Sequence, residues 1–184
     1  LVCGMSPRHS LYLAAGESGP RELRAEHDLR ARVGLPGELL DHPALLREFG
    51  IHREAAIVSP GSSDADPVLL SHALLAEAVR QDAKLFDAHA IGYDSSSDAV
   101  IVVLDEGHVI EAKHVVLATG YVMPDILTSD LHKVVSSWAI ATPPQQPETI
   151  WRDKALIWEA SEQYNYLRAT PENRIVIGGE DDDT

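Results

Sequence analysis

Residues 107–121, GHVIEAKHVVLATGY, restrict the fold more than any other part of the chain. Asp105-Glu106-Gly107 is a turn signal between the apolar run Val100–Leu104 and a short strand-like segment, residues 108–112. Val115-Val116-Leu117 is rich in β-branched residues, too short for a helix and apolar on both faces, which predicts a buried strand. It ends in Ala118-Thr119-Gly120, whose small side chains let another group come close to the backbone. Strand ends of this kind are where ligands sit in α/β sheets. The same residues also suit a core strand closed by a glycine turn, and spacing alone leaves both readings open.

Four pieces of the sequence occur in a telling order: SLYLA (10–14), ADPVLLSHALLAEAV (65–79), HVVLATGY (114–121) and YLRATPENRIVIGGED (166–181). Together they resemble the D-amino acid oxidase-like FAD-dependent oxidoreductases, the group that includes glycine oxidase and sarcosine oxidase. The resemblance implies an α+β fragment of a two-lobe α/β flavoprotein, with a mixed sheet, covering helices and an antiparallel substrate-side sheet. It implies that residues 1–58 begin the substrate-side lobe, 59–121 belong to the FAD-binding lobe, and 122–184 form the substrate-side antiparallel sheet. It also implies that Ala118, Thr119 and Gly120 line FAD, with the backbone of Ala90 meeting the adenine.

A chain of 184 residues suits one domain or two small lobes. The net charge of −14 disfavours nucleic acid and anionic membrane surfaces as partners. The single cysteine, Cys3, excludes an internal disulfide and fits a reducing compartment. No apolar run reaches membrane-spanning length and no signal peptide is recognisable, so a soluble, cytoplasmic protein is the expectation. One absence weighs more. A dinucleotide needs a glycine turn opening a helix to hold its pyrophosphate, and no G-x-G-x-x-G occurs here. The nearest cluster, Gly16-Glu17-Ser18-Gly19-Pro20, has the wrong spacing and a proline. The expectation is an internal piece of a longer protein, without the N-terminal dinucleotide-binding unit or the C-terminal flavin-contacting segment, and unable to retain FAD alone.

Punctuation gives the remaining elements. A short strand at 11–13 precedes a charged helix at 21–32 that stops near Gly34. Asp41 caps a second helix ended by Gly50, and residues 51–58 lead into a loop at 59–66. Asp66 and Pro67 open the clearest helix, whose broad apolar face is expected to cover a sheet. A segment at 84–93 precedes a serine-rich turn. A short helix is expected at 126–131 and a strand at 134–142, with Trp138 and Ile140 on one face. Residues 155–159, 164–170 and 174–178 read as an antiparallel set, the last two a hairpin turning at Pro171-Glu172-Asn173.

That hairpin carries the best chemical constellation. Alternation puts Tyr164, Tyr166 and Arg168 on one face, Leu167 and Ala169 on the other. Two phenols and a guanidinium can grip an anion: Arg offers a planar donor fork, Tyr an O–H donor and an aromatic wall. The pattern equally fits an amphipathic surface strand. The resemblance favours the first reading, since the family carries a substrate-carboxylate tyrosine at the position of Tyr166; Arg168 is the second substrate-binding candidate. Nine histidines lack H-E-x-x-H or Cys-x-x-Cys company, so no metal site is expected. Residues 180–183 lack the pattern of a calcium loop, and the three tryptophans are expected to pack rather than stack on bases.

What the resemblance implies is oxidation of an amine or amino acid, its α-hydrogen passing as hydride to the flavin. Dioxygen or another acceptor would then reoxidise the cofactor. The protein orients the substrate, and no side chain of this chain is expected to be catalytic. Two alternatives stay open on the sequence: another FAD-using oxidase, dehydrogenase or monooxygenase on the same scaffold, and a non-catalytic module binding a small anion or a protein.

Overall fold

A computed structural model describes residues 2–96, 98–127 and 134–182. In chain order these form β1 (Ser6–Ala14), α1 (Pro20–Arg32), β2 (Glu38–Asp41), α2 (His42–Phe49), β3 (Ala55–Asp64), α3 (Pro67–Arg80), β4 (Ala90–Ser95), β5 (Val100–Leu104), β6 (Val109–Ala112), β7 (Ser136–Ala141), β8 (Leu156–Ala160), β9 (Asn165–Ala169) and β10 (Ile175–Asp182). Two compact units result, residues 1–74 with 135–184, and residues 75–134. The fold is α+β, as the sequence predicts, with a mixed sheet in the first unit and an antiparallel one in the second.

The first unit is built on seven strands in the order β2-β3-β1-β8-β9-β10-β7. Among the described residues only β1 and β8 run parallel in this sheet; its other pairs are antiparallel. The closing strands are therefore not a separate antiparallel sheet but continue the sheet begun by β1. Register aligns Leu39, Ile57, Tyr12, Trp158, Tyr166, Gly178 and Ala139 in one row on one face. The next row, on the opposite face, holds Val58, Leu11, Ile157, Leu167, Ile177 and Ile140.

Each face carries its own helix. Leu23 of α1 is buried with Ala14, Ala55, Ile57 and Ala160, while Tyr12 and Leu39 pack alongside. Leu45 and Phe49 of α2 bury the other face against Leu11, Leu13, Leu40, Ala56, Val58 and Ile157. Since alternate residues of β3 enter the two clusters, the helices lie on opposite sides of the sheet. Local chemistry sets the ends of α2: the Asp41 carboxylate accepts from the Ala44 N–H at 3.0 Å, and Gly50 adopts φ +69°. Asp66 likewise accepts from the N–H groups of Val68 and Leu69, both at 2.9 Å.

Four expectations are corrected. Residues 59–64 are not a loop; they extend β3 along the start of β1, from Ser10↔Ser59 to Ser6↔Asp64. A proline in that run hid the strand, and the structure tolerates it because Pro60 and Gly61 sit where the register shifts, with Gly61 at φ +87°. Residues 115–117 are not a strand, since a strand is defined by its partners and none pairs with it among the described residues. α3 buries none of its residues. Trp138 shares a face of β7 with Ile140 as expected, but both are 67% exposed rather than packed. Most of the helix expected at 126–131 lies outside the described residues; in its described part, Leu127 N–H closes a turn on the Pro124 carbonyl.

The second unit centres on the meander β4-β5-β6. The turn at Asp105-Glu106-Gly107 closes as predicted, Gly107 N–H bonding to the Leu104 carbonyl with the glycine at φ +80°. β4 begins later than the expected segment at 84–93, and its register slips between Ala90 and Gly92, leaving Ile91 as the extra residue of a bulge. No helix of the described residues is long and apolar enough to cross a membrane.

Candidate functional site

β9 is held on both sides, by β8 and by β10, so its side chains stand on a fixed platform. Tyr166 faces Trp158 across one strand pair and Gly178 across the other. Its ring lies 6.2 Å from that of Tyr164 at 44°, which confirms that the two phenols share a face. Both are partly open to solvent, Tyr164 at 41% and Tyr166 at 37%. Leu167 packs into the α2-side core and Ala169 is buried, as alternation requires. Arg168, opposite Val176, is half-buried and forms no ion pair among the described residues. On this face, Trp158 continues the aromatic row to Tyr12 at 5.7 Å, and the Arg30 guanidinium lies 5.2 Å from the Tyr12 ring centre.

The base of the hairpin is braced by a group the sequence reading missed. The Glu159 carboxylate accepts from Arg53 Nη2 at 2.7 Å, from the Asn165 N–H at 3.1 Å and from Asn165 Nδ2 at 3.2 Å. Burial pushes the Glu159 carboxyl up, but the hydrogen bonds from Arg53 and Asn165 outweigh it and hold the group below the usual carboxylate range. Asn165 immediately precedes Tyr166, so this carboxylate fixes where β9 begins. Arg53 and Glu159 also line a concavity of about 640 Å³ with His42, His52 and Ser161. Nothing local announces such a pairing, because its partners are 106 residues apart.

In the second unit, Ala90 and Thr119 line one groove of about 630 Å³ with Ile91, Gly92, Tyr93 and Val122. Ala118 and Gly120 flank Thr119 without lining that groove; all three are exposed, and Gly120 takes φ +65°. β4 is an edge strand, so the main chain at Ala90 has no strand partner on its outer side among the described residues. Free edge N–H and C=O groups beside small side chains suit the flat, hydrogen-bonding base of an adenosine. They do not supply a pyrophosphate cradle, and the sequence contains no glycine-rich turn that would. The residues present thus fit the nucleoside end of FAD only. Among the described residues, no cluster of His, Cys, Asp and Glu could hold a metal ion.

The family model described as DAO, FAD dependent oxidoreductase, matches residues 1–184. No curated protein matches the chain. Among solved structures, glycine oxidase from Geobacillus kaustophilus superposes with TM-score 0.77 at 18% identity, over 98% of this chain and 49% of that one. Glycine oxidase from Bacillus cereus gives 0.76 at 17%, covering 97% and 50%. L-proline dehydrogenase from P. horikoshii gives 0.74 at 18%, covering 95% and 49%. These likenesses establish the fold, and the chain spans about half the length of the structures it matches. With the family pattern running through the whole sequence on a matching fold, the chain belongs to the DAO family of FAD dependent oxidoreductases.

Proposed function

We propose that the chain forms the substrate-facing sheet and part of the nucleoside-binding wall of an enzyme that oxidises an amine or amino acid. FAD, when bound, supplies the hydride acceptor for the substrate's α-hydrogen, and dioxygen or another acceptor returns it to the oxidised form. The chain's own residues bind and orient. The Tyr166 hydroxyl donates to the substrate carboxylate, and Arg168, without an ion-pair partner among the described residues, adds charge on the same face. Ala90 and Thr119, flanked by Ala118 and Gly120, take the adenosine. No side chain here acts as a general base in this reading; holding the α-carbon in place is the protein's contribution. Cytoplasmic location belongs to the same proposal.

The observation that carries it is the pair of half-open phenols, Tyr166 on the platform strand and Tyr164 just before it, in a chain whose structural neighbours include a glycine oxidase and an L-proline dehydrogenase. The test is the identity of the reductant. In the full-length protein, an amino acid or simple amine should bleach the flavin without air; bleaching by reduced nicotinamide alone would assign the chain to a different FAD-dependent chemistry.

A further inference from the structure

Two consecutive glycines on β10 stand in different situations. Gly179 has φ +139°, and an added Cβ there would run into the backbone of Tyr164 and Asn165. Gly178 has no left-handed φ, so its backbone would accept any residue. What it could not accept is a side chain. An ideal Cβ on Gly178 would lie 2.8 Å from Tyr166 Cε2 and closer still to Cζ and Oη. The outer edge of the phenol therefore rests on the bare main chain of Gly178, directly across the strand pair. Tyr164 stands beside the ring and Trp158 occupies the neighbouring register position.

From this geometry we infer that Gly178 is a positioning residue: it is the seat that fixes where the Tyr166 hydroxyl points, and so sets the enzyme's affinity for a carboxylate-bearing substrate. The inference rests on the reading of Tyr166 as the carboxylate-facing phenol. A methyl group at 178 lifts the ring. Since the ring is partly exposed, it swings toward solvent rather than forcing the sheet apart, and the hydroxyl moves while the fold stays. Gly179, by contrast, answers to the backbone.

The test uses the full-length protein with 3-fluorotyrosine at position 166, read by fluorine NMR, and acetate, glycine and L-proline as probes. In the native sequence at least one probe should shift the resonance saturably. In Gly178→Ala the free-protein resonance should move, and the affinity for that probe should fall at least about tenfold, the loss expected for a hydrogen bond to a charged group. Asp41→Ala, which only removes the cap of α2, should leave the affinity unchanged. Equal affinity in Gly178→Ala overturns the seat while sparing the role of Tyr166; no saturable shift in the native protein overturns both. A second measurement does not depend on the variant's folding. Nuclear Overhauser contacts between the Gly178 α-protons and the Tyr166 ring should be present in the native protein and persist at saturating probe; their absence would remove the seat.

Discussion

Arg53 and Glu159 meet at 2.7 Å, joining the segment that leads into β3 to the penultimate residue of β8, and the same carboxylate accepts hydrogen bonds from both nitrogens of Asn165 at the start of β9. One acidic group thus ties three parts of the sheet together at the root of the strand that carries Tyr166. The Glu159 side chain is 13% exposed and Arg53 47%, so the pair is stronger than an open surface bridge and weaker than a buried one.

Acid should loosen this tie. The folded-state carboxyl of Glu159 lies below its ordinary value, so its stabilisation is complete above the unfolded-state pKa of about 4.3 and fades as pH falls through the folded value. Glu159→Gln should cost about 1–2 kcal/mol near neutrality, after allowing for the solvent around Arg53. Urea unfolding of both proteins between neutral and acid pH should show the gap closing as acidity rises. A gap independent of pH would mean that the charge contributes nothing.

Core packing gives a larger effect. Leu45 is fully buried between α2 and the sheet. Leu45→Ala should cost about 2–5 kcal/mol, read as a lower midpoint in urea at unchanged slope.

Asp41→Ala should cost about 1 kcal/mol, because the Ala44 N–H loses its side-chain acceptor. The readout is again the urea midpoint, with the far-ultraviolet spectrum unchanged; no shift in midpoint would show that solvent satisfies that N–H equally well.

Much of this was legible from the residues. α2 could be read from Asp41, the apolar spacing and Gly50, all within ten residues of one another. The β9–β10 hairpin could be read from Pro171-Glu172-Asn173, and Asn173 does adopt φ +62° there. What escaped depends on distant partners. The second half of β3 is a strand only because β1 lies alongside it, and β2 exists only through pairing with β3. Residues 115–117 show the reverse: strong strand character, and no neighbour among the described residues to express it. At the site, alternation placed Tyr164 and Tyr166 on one face. The bracing by Glu159 and the bare seat at Gly178 are properties of cross-strand register, which sequence spacing does not encode.

Residues 1–184 alone should purify colourless. In the proposed reading the groove at Ala90 and Thr119 takes the adenosine alone, and the sequence has no glycine-rich turn to hold the pyrophosphate. Visible absorbance of the purified chain decides this; stoichiometric FAD carried through purification would show that the pyrophosphate has a holder elsewhere in these residues.

The central claim, that the β9 phenol grips a substrate carboxylate, is tested most directly by comparing native and Tyr166→Phe full-length enzyme on two reductants. One is the amino acid that the enzyme turns over; the other is the same amine without its carboxylate. Anaerobic flavin bleaching by the amino acid should weaken by about 1.5–3 kcal/mol in Tyr166→Phe, the value of a hydrogen bond to a charged group, while bleaching by the carboxylate-free amine should be unchanged. Equal losses on both reductants, or no loss on either, would contradict the account.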